Sequence, residues 1–326
     1  MNDQPLLELQ GVKTFFRIKK DILKAVNGVD LVIHRGETLG LVGESGCGKS
    51  TLGKTILHLY KPAEGKVLYK GRDIWSYSKT ERKLYARQVQ MIFQDPYASL
   101  DPLMVVHECV AEGLNIHGIY TPKERYEKAI ELLEQVGLNK EHANRFPHEF
   151  SGGQRQRIGI ARALALEPEL IVCDEPISAL DVSIQAQIVN LLRDLQEKKG
   201  LAYLFITHDL SMVRQISDRI AVMYLGSLVE LAHSDNLYEH HRHPYTKALL
   251  SAIPIADPDV EAKRQRILLS GDVSSPIGID QMCSFCKRCH YATDLCFHEK
   301  PLLREVAEDH FVACHHLDQV DKNGGR

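Results

Sequence analysis

The chain predicts an α/β protein on three observations. Short apolar runs alternate with helix-compatible stretches, a glycine-rich turn joins the first such pair, and an acid pair closes a later run. Residues 6–42 read as β-rich: Leu7-Glu8-Leu9 alternates, and residues 25–33 carry β-branched side chains before the turn at Arg35-Gly36-Glu37. Lys66-Val67-Leu68-Tyr69 reads as a strand closed by Lys70-Gly71-Arg72, and residues 89–94 as another short strand. From Tyr97 to about Phe150 the pattern turns helical, most plainly over residues 124–137, where Ala129, Ile130, Leu132, Leu133 and Val136 share one side. Ser151-Gly152-Gly153-Gln154 has the form of a helix capping box, and its helix should stop before Pro168. Leu170-Ile171-Val172-Cys173 is wholly apolar, as in a parallel strand covered on both faces. A helix over 184–198 and a strand over 202–207 repeat the unit, and beyond about Gly226 the pattern loosens into an appended tail.

The glycine-rich turn is Gly43-Glu44-Ser45-Gly46-Cys47-Gly48-Lys49-Ser50-Thr51. It follows the apolar run Leu39-Gly40-Leu41-Val42 and opens a helix-compatible stretch, the context a phosphate-binding loop requires. Its glycines let backbone N–H groups approach an anion beside a helix N-terminus. Lys49 supplies charge for β- and γ-phosphates, and Ser50 a hydroxyl for Mg²⁺. Asp174 and Glu175 follow the apolar strand at its carboxyl end, where ligands bind in open α/β sheets. Asp174 suits Mg²⁺ held through its water shell, and Glu175 suits orienting or deprotonating a water. Ser151, Gly152 and Gly153 present a second helix start with bare N–H groups, hence a second anion site. A cap alone would need no second glycine.

The order of these segments resembles an ATP-binding cassette ATPase over roughly residues 6–230: the loop at 43–51, Gln94, Ser-Gly-Gly-Gln at 151–154, Asp174-Glu175, Ser178-Ala179-Leu180-Asp181 and then His208. The resemblance implies a P-loop NTPase core with an antiparallel β subdomain and an inserted helical subdomain at about 97–165. It implies bound ATP and Mg²⁺, with Gln94 contacting both the metal and the attacking water. His208 would touch the γ-phosphate, Asp181 would lie at a subunit interface, and Phe16 would stack on adenine. Phe150 stands where the family has leucine. By the same resemblance Ser151–Gln154 of one subunit closes over ATP held by another, so a second cassette subunit, a paralogue, is the expected partner.

Phe93 to Pro102, then His243-Pro244-Tyr245-Thr246-Lys247-Ala248-Leu249-Leu250, then a cysteine-bearing tail at 231–326, resemble the peptide/nickel-importer branch of that family. That branch implies two integral membrane permease subunits, a periplasmic or extracellular peptide-binding protein, and a peripheral place on the cytoplasmic face of the membrane. The cargo left open is oligopeptide, dipeptide, nickel or glutathione. The tail cysteines run Cys283, Cys286, Cys289, Cys296 and Cys314, a spacing compatible with zinc, with an iron–sulfur cluster, or with no metal. The resemblance favours a [4Fe-4S] cluster on Cys283, Cys289, Cys296 and Cys314, with Cys286 as an extra thiol. His290, His298, His315 and His316 read as surface residues.

Composition bounds the alternatives. The 326 residues suggest about two units on a prior of roughly 150 residues each, and 44% hydrophobic with 25% charged is ordinary for a soluble domain. No apolar run approaches a membrane span, and Met1-Asn2-Asp3-Gln4-Pro5 does not read as a signal peptide, so a cytosolic chain with reduced cysteines is expected. A net charge of −3 argues against nucleic acid as partner. The basic clusters Arg17-Ile18-Lys19-Lys20 and Lys263-Arg264-Gln265-Arg266 read as solvated surface. A soluble cassette protein acting on nucleic acid or ribosomes would use the cysteines as a zinc module. Such proteins carry two cassettes or a long coiled-coil insertion, and this sequence has neither.

Overall fold

A computed structural model describes residues 4–254, 267, 269 and 281–322. The fold is α/β, and the chain forms two compact units, one of Met1–Val32, Thr38–Trp75 and Thr207–Arg326, the other of Ile33–Glu37 and Ser76–Ile206. The Lys263–Arg266 cluster lies outside the described residues, whereas Arg17 to Lys20 is exposed at a strand turn, as expected.

In the first unit β1 (Leu7–Ile18) pairs antiparallel with β4 (Glu64–Tyr69), Leu7 opposite Tyr69 and Leu9 opposite Val67, and β2 (Asp21–Ile33) and β5 (Arg72–Asp73) flank them. The alternation read from Leu7-Glu8-Leu9 is realised, with both leucines buried. β3 (Thr38–Val42) is buried at every position and runs parallel to β9 (Arg219–Tyr224). The phosphate-type loop connects β3 to α1 (Lys49–Ile56). The residues directly beyond Gly226 form a strand where a loosened pattern is expected. β10 (Ser227–His233) returns antiparallel to β9 through Leu225 (φ 41°) and Gly226 (φ 81°). Two positive φ values in a two-residue connection match the right-handed strand twist, and leucine at the first of them conceals the turn in the sequence. Two helices follow, at Ser234–His240 and Pro244–Ser251. The tail then contributes β11 (Arg304–Ala307) and β12 (His310–Val312), and β12 pairs with β10.

The second unit holds the parallel strands β6 (Val89–Ile92), β7 (Leu170–Asp174) and β8 (Ala202–Thr207). Between β6 and β7 come the helices at Val106–Ile116, at Pro122–Gln135, and at Gly152–Leu164, here called α5. The helix expected over 124–137 starts earlier because Thr121 and Glu124 form a capping box with Pro122 in the first turn. It ends at Gln135, with Val136 as C-cap and Gly137, φ 79°, just beyond. The strand expected to reach Gln94 stops at Ile92. A helix over Lys79–Gln88, capped by Ser78 and Glu81, buries Tyr85 as its one buried residue, which is why periodicity does not reveal it. α6 (Val182–Lys199) ends at Gly200, φ 65°.

α5 and α6 approach closely at Gly153. A Cβ there would stand 2.5 Å from Ile184 Cγ2 and 3.7 Å from Ile184 Cβ, so the second glycine of Ser-Gly-Gly-Gln already has a packing reason inside this chain. Gly152 is less constrained, its nearest neighbour being Leu180 Cδ2 at 3.4 Å. In the first unit the matching fixed point is Glu230 on β10, fully buried. It accepts from the backbone N–H of Arg242 at 2.7 Å and of His243 at 3.0 Å, and pairs with His310 Nε2 at 2.8 Å. These bonds join the helix start at His243 and β12 to the sheet.

Two outcomes follow from this packing. Gly153→Ala is expected to lower stability by about 1–3 kcal/mol, and Ile184→Ala in the same chain should recover part of the loss, read by thermal melts of the single and double variants. Burial drives His243 down from 6.5 to about 4, although Glu230 pulls the other way. Burial alone would raise Glu230, but its hydrogen bonds more than offset that and hold it low. Both groups are depressed in the fold, so the unfolded chain takes up their protons first and stability is full only above about pH 6.5. Acidification towards pH 4 should therefore cost at most about 3 kcal/mol through His243. His243→Asn, which can still accept from the Tyr245 N–H that His243 Nδ1 now caps at 3.1 Å, should flatten the melting temperature between pH 7 and pH 5.

Candidate nucleotide site

The first unit carries the phosphate-type loop. Gly43 (φ 155°) and Gly48 (φ 108°) have backbone carbonyls, Met223 O and Ala25 O, where a side chain would have to go, so neither position admits a Cβ. Gly46, φ 78°, faces open space. Ser45 and Gly46 are exposed, while Cys47 and Lys49 are buried. Gly48 is the N-cap of α1 and offers no side-chain cap, so first-turn N–H groups of the helix have no side-chain acceptor from it. Lys49 Nζ donates to Gly43 O at 2.7 Å and to Glu44 O at 3.1 Å, which folds the ammonium over the loop it would serve. Burial pushes the Cys47 thiol up despite Lys49 beside it, so this cysteine stays a neutral packing group. Ser50 and Thr51 are half-buried in the first turn of α1. Loop and helix start together can cradle phosphate, with Lys49 as cation and Ser50 as the hydroxyl for Mg²⁺.

In the same unit Phe16, on β1, is half-buried and meets Tyr60 edge-on at 5.2 Å between ring centroids. Phe15 instead lies under Lys24 Nζ at 5.3 Å. His208 is exposed just beyond β8 and precedes Asp209, whose carboxylate caps the helix Leu210–Ile216 by accepting from Ser211 N at 2.8 Å.

The second unit gathers the acids. Asp174 is buried at the end of β7 and Glu175 is half-buried after it, with φ 45°. A non-glycine residue at positive φ costs of order 1–3 kcal/mol and persists where the surroundings impose it. Here Glu175 N donates to Ile206 O at 2.9 Å. Gln94, exposed after β6, donates its Nε2–H to Glu175 Oε2 at 2.8 Å, so the structure brings together two of the sequence-predicted residues. The segment after Gln94 is tied to α5: Arg155 lies over the Tyr97 ring at 3.5 Å, and Arg162 donates to Ser99 O. At the start of α5, Ser151 Oγ accepts from Gln154 N at 3.4 Å and Ser151 N donates to Gln154 Oε1 at 3.0 Å, a complete capping box. Asp181 is exposed at the start of α6, where its side chain makes no cap. An anion at Ser151 would meet the positive end of a thirteen-residue helix.

The tail cysteines lie in the first unit. Burial raises Cys283 to about 12 and Cys289 to about 11, and neighbouring thiols add to both shifts: Cys286, Cys296 and Cys289 act on Cys283, and Cys314, Cys296 and Cys286 on Cys289. The thiols therefore share one neighbourhood. Among the described residues, however, no three His, Cys, Asp or Glu side chains converge so as to hold one metal ion. His290 and His298 are exposed, in keeping with the surface reading. His315 and His316 are half-buried instead, His316 Nε2 meeting Thr293 Oγ1 at 2.8 Å and His315 Nε2 meeting Glu299 O at 3.0 Å. Among the described residues no helix is long and apolar enough to cross a membrane.

Comparison with known proteins agrees with both parts. Residues 26–178 match the ABC transporter family, and residues 229–296 match the oligopeptide/dipeptide transporter C-terminal region. The oligopeptide transport ATP-binding protein AppF of Bacillus subtilis (strain 168) is 52% identical over 322 residues, covering 96% of this chain and 98% of AppF. The oligopeptide transport ATP-binding protein OppF of the same organism is 62% identical over 266 residues, covering 81% of this chain and 87% of OppF. Among solved structures, the dimeric post-hydrolysis state of the ATP-binding cassette MJ0796 bound to ADP and Pi superposes with a TM-score of 0.64 at 32% identity, over 70% of this chain and 98% of that one. With a glycine loop that excludes side chains at Gly43 and Gly48, an acid-ended buried strand and relatives at this level, the chain belongs to the ABC transporter family of ATP-binding proteins.

Proposed function

We propose that this chain is the ATP-hydrolysing subunit of an importer that carries oligopeptides or dipeptides across the cytoplasmic membrane. The observation that carries it is the pair of anion-receptive helix starts in one chain, α1 behind Gly48 and α5 behind Ser151. In this reading Lys49 and the loop from Gly43 to Thr51 hold the phosphates, and Ser50, Gln94 and Asp174 hold Mg²⁺ directly or through water. Glu175 would take the proton of the attacking water, or orient it, and Gln94 would contact both the metal and that water. His208 meets the γ-phosphate and Phe16 the adenine. Ser151, Gly152, Gly153 and Gln154, with Asp181, face nucleotide bound by a second cassette subunit, a paralogue of this chain. The ATPase portion is residues 1–230, with a helical subdomain at about 97–165, and the extension is 231–326.

The exposed Tyr97 and Leu103, on the stretch that follows Gln94, support a docking role towards two membrane permease subunits at the cytoplasmic face. A peptide-binding protein outside the membrane would complete the assembly. Nickel or glutathione as cargo uses the same residues in this chain. For the tail, the shared neighbourhood of the thiols is compatible with a [4Fe-4S] cluster on Cys283, Cys289, Cys296 and Cys314, the set the family resemblance favours, and with zinc as the alternative. Raised thiols mean that loading must displace protons.

In the assembled complex, Glu175→Gln should keep ATP binding while hydrolysis falls by about 10² or more, and Lys49→Ala should lose nucleotide affinity. Near-wild-type turnover of Glu175→Gln, followed by phosphate release, would remove Glu175 from the reaction. Permease subunits should co-purify with the chain; nucleic acid in their place would favour the ribosome-type reading. Anaerobically purified protein should contain iron in preference to zinc, with a visible absorbance band that disappears in Cys296→Ala.

A further inference from the structure

The extension does more than follow the cassette in sequence. Its cysteine-bearing turn, with Phe285 before and Cys289 after the short helix Cys286–Arg288, reaches the phosphate loop itself. Arg288 Nη1 donates to Glu44 Oε1 at 3.0 Å and to Glu44 Oε2 at 2.9 Å, with the Tyr224 hydroxyl at 3.5 Å. The pair is largely desolvated, the side chains being 9% and 25% exposed, so it is not screened as a surface ion pair is. The backbone of Glu44 is held as well. Its N–H donates to the Tyr245 hydroxyl at 2.9 Å, and its carbonyl accepts from Lys49 Nζ. Tyr245 comes from the His-Pro-Tyr-Thr helix. It packs with Tyr224 and Phe285 at centroid distances of 4.6 and 5.4 Å, a box that fixes the turn carrying Arg288.

An acid in a phosphate-binding loop is a liability. An unpaired carboxylate at position 44 would repel a triphosphate next to Gly43, and would compete for Lys49. We propose that Arg288 is a positioning residue for nucleotide: it cancels the Glu44 charge and, with Tyr245, holds the loop in its phosphate-ready shape from the extension. The inference rests on the reading that residues 43–51 bind ATP. It makes the cysteine-bearing turn a support of the phosphate loop, since Arg288 stands between Cys286 and Cys289.

The test is Mg-ATP binding to the full-length chain by calorimetric titration, with melting temperature measured in parallel. Arg288→Gln removes the charge and leaves a neutral, shorter donor, and should raise the Kd by about tenfold. Arg288→Lys should stay within about threefold of the unsubstituted protein. Glu44→Gln placed in the Arg288→Gln chain should restore most of the affinity, because the repelling charge is then gone. The proposal fails if Arg288→Gln binds ATP as tightly as the unsubstituted chain, or if the double variant is no better than Arg288→Gln alone. Absence of ATP binding in the unsubstituted chain would instead sink the underlying nucleotide reading. If Arg288→Gln does not fold, Arg288→Lys and the double variant decide: a double variant that folds and binds near wild type supports the proposal, and one that folds yet binds weakly overturns it.

Discussion

Everything at the nucleotide loop depends on one steric constraint: two strand carbonyls, Ala25 O on β2 and Met223 O on β9, occupy the space where side chains at Gly48 and Gly43 would lie. The loop has no freedom to slide outward without losing these neighbours, and none to accept a Cβ. Its N–H groups are therefore set before any anion arrives, the condition under which electrostatic stabilisation needs no reorganisation. Lys49 is drawn into the same frame by the carbonyls of Gly43 and Glu44.

The second layer of support is the extension. Glu230, fully buried on β10, joins the helix start at His243 to β12 through three charge-assisted bonds. A buried carboxylate is tolerable only when its lone pairs are used, and here they are. The extension strands continue the order β3, β9, β10, β12, β11 within one unit. The tail is thus part of the folding unit that presents the phosphate loop.

Where the signal is local, the sequence makes the site legible. The loop at 43–51, the capping box at Ser151 and the acid end of β7 each depend on residues within a few positions, and each occurs where expected. Failures arise where tertiary structure intervenes. β10 is hidden because Leu225 takes a positive φ that only its surroundings enforce. At Gly153 the sequence suggests a ligand-facing glycine and gives no hint of the second demand, that a methyl group there would collide with Ile184 across a helix pair. The Arg288–Glu44 pair spans 244 positions, and no spacing rule reaches that far. The tail thiols share a neighbourhood that their spacing suggests, but their geometry does not converge on one ion.

Gln94 and Glu175 hold one another through one hydrogen bond. Gln94 is carried on a segment bolted to α5 through Arg155 and Arg162. The amide that meets this acid is therefore mechanically linked to α5. A shift of α5 would thus be transmitted to the acid end of β7 through the side chain of Gln94.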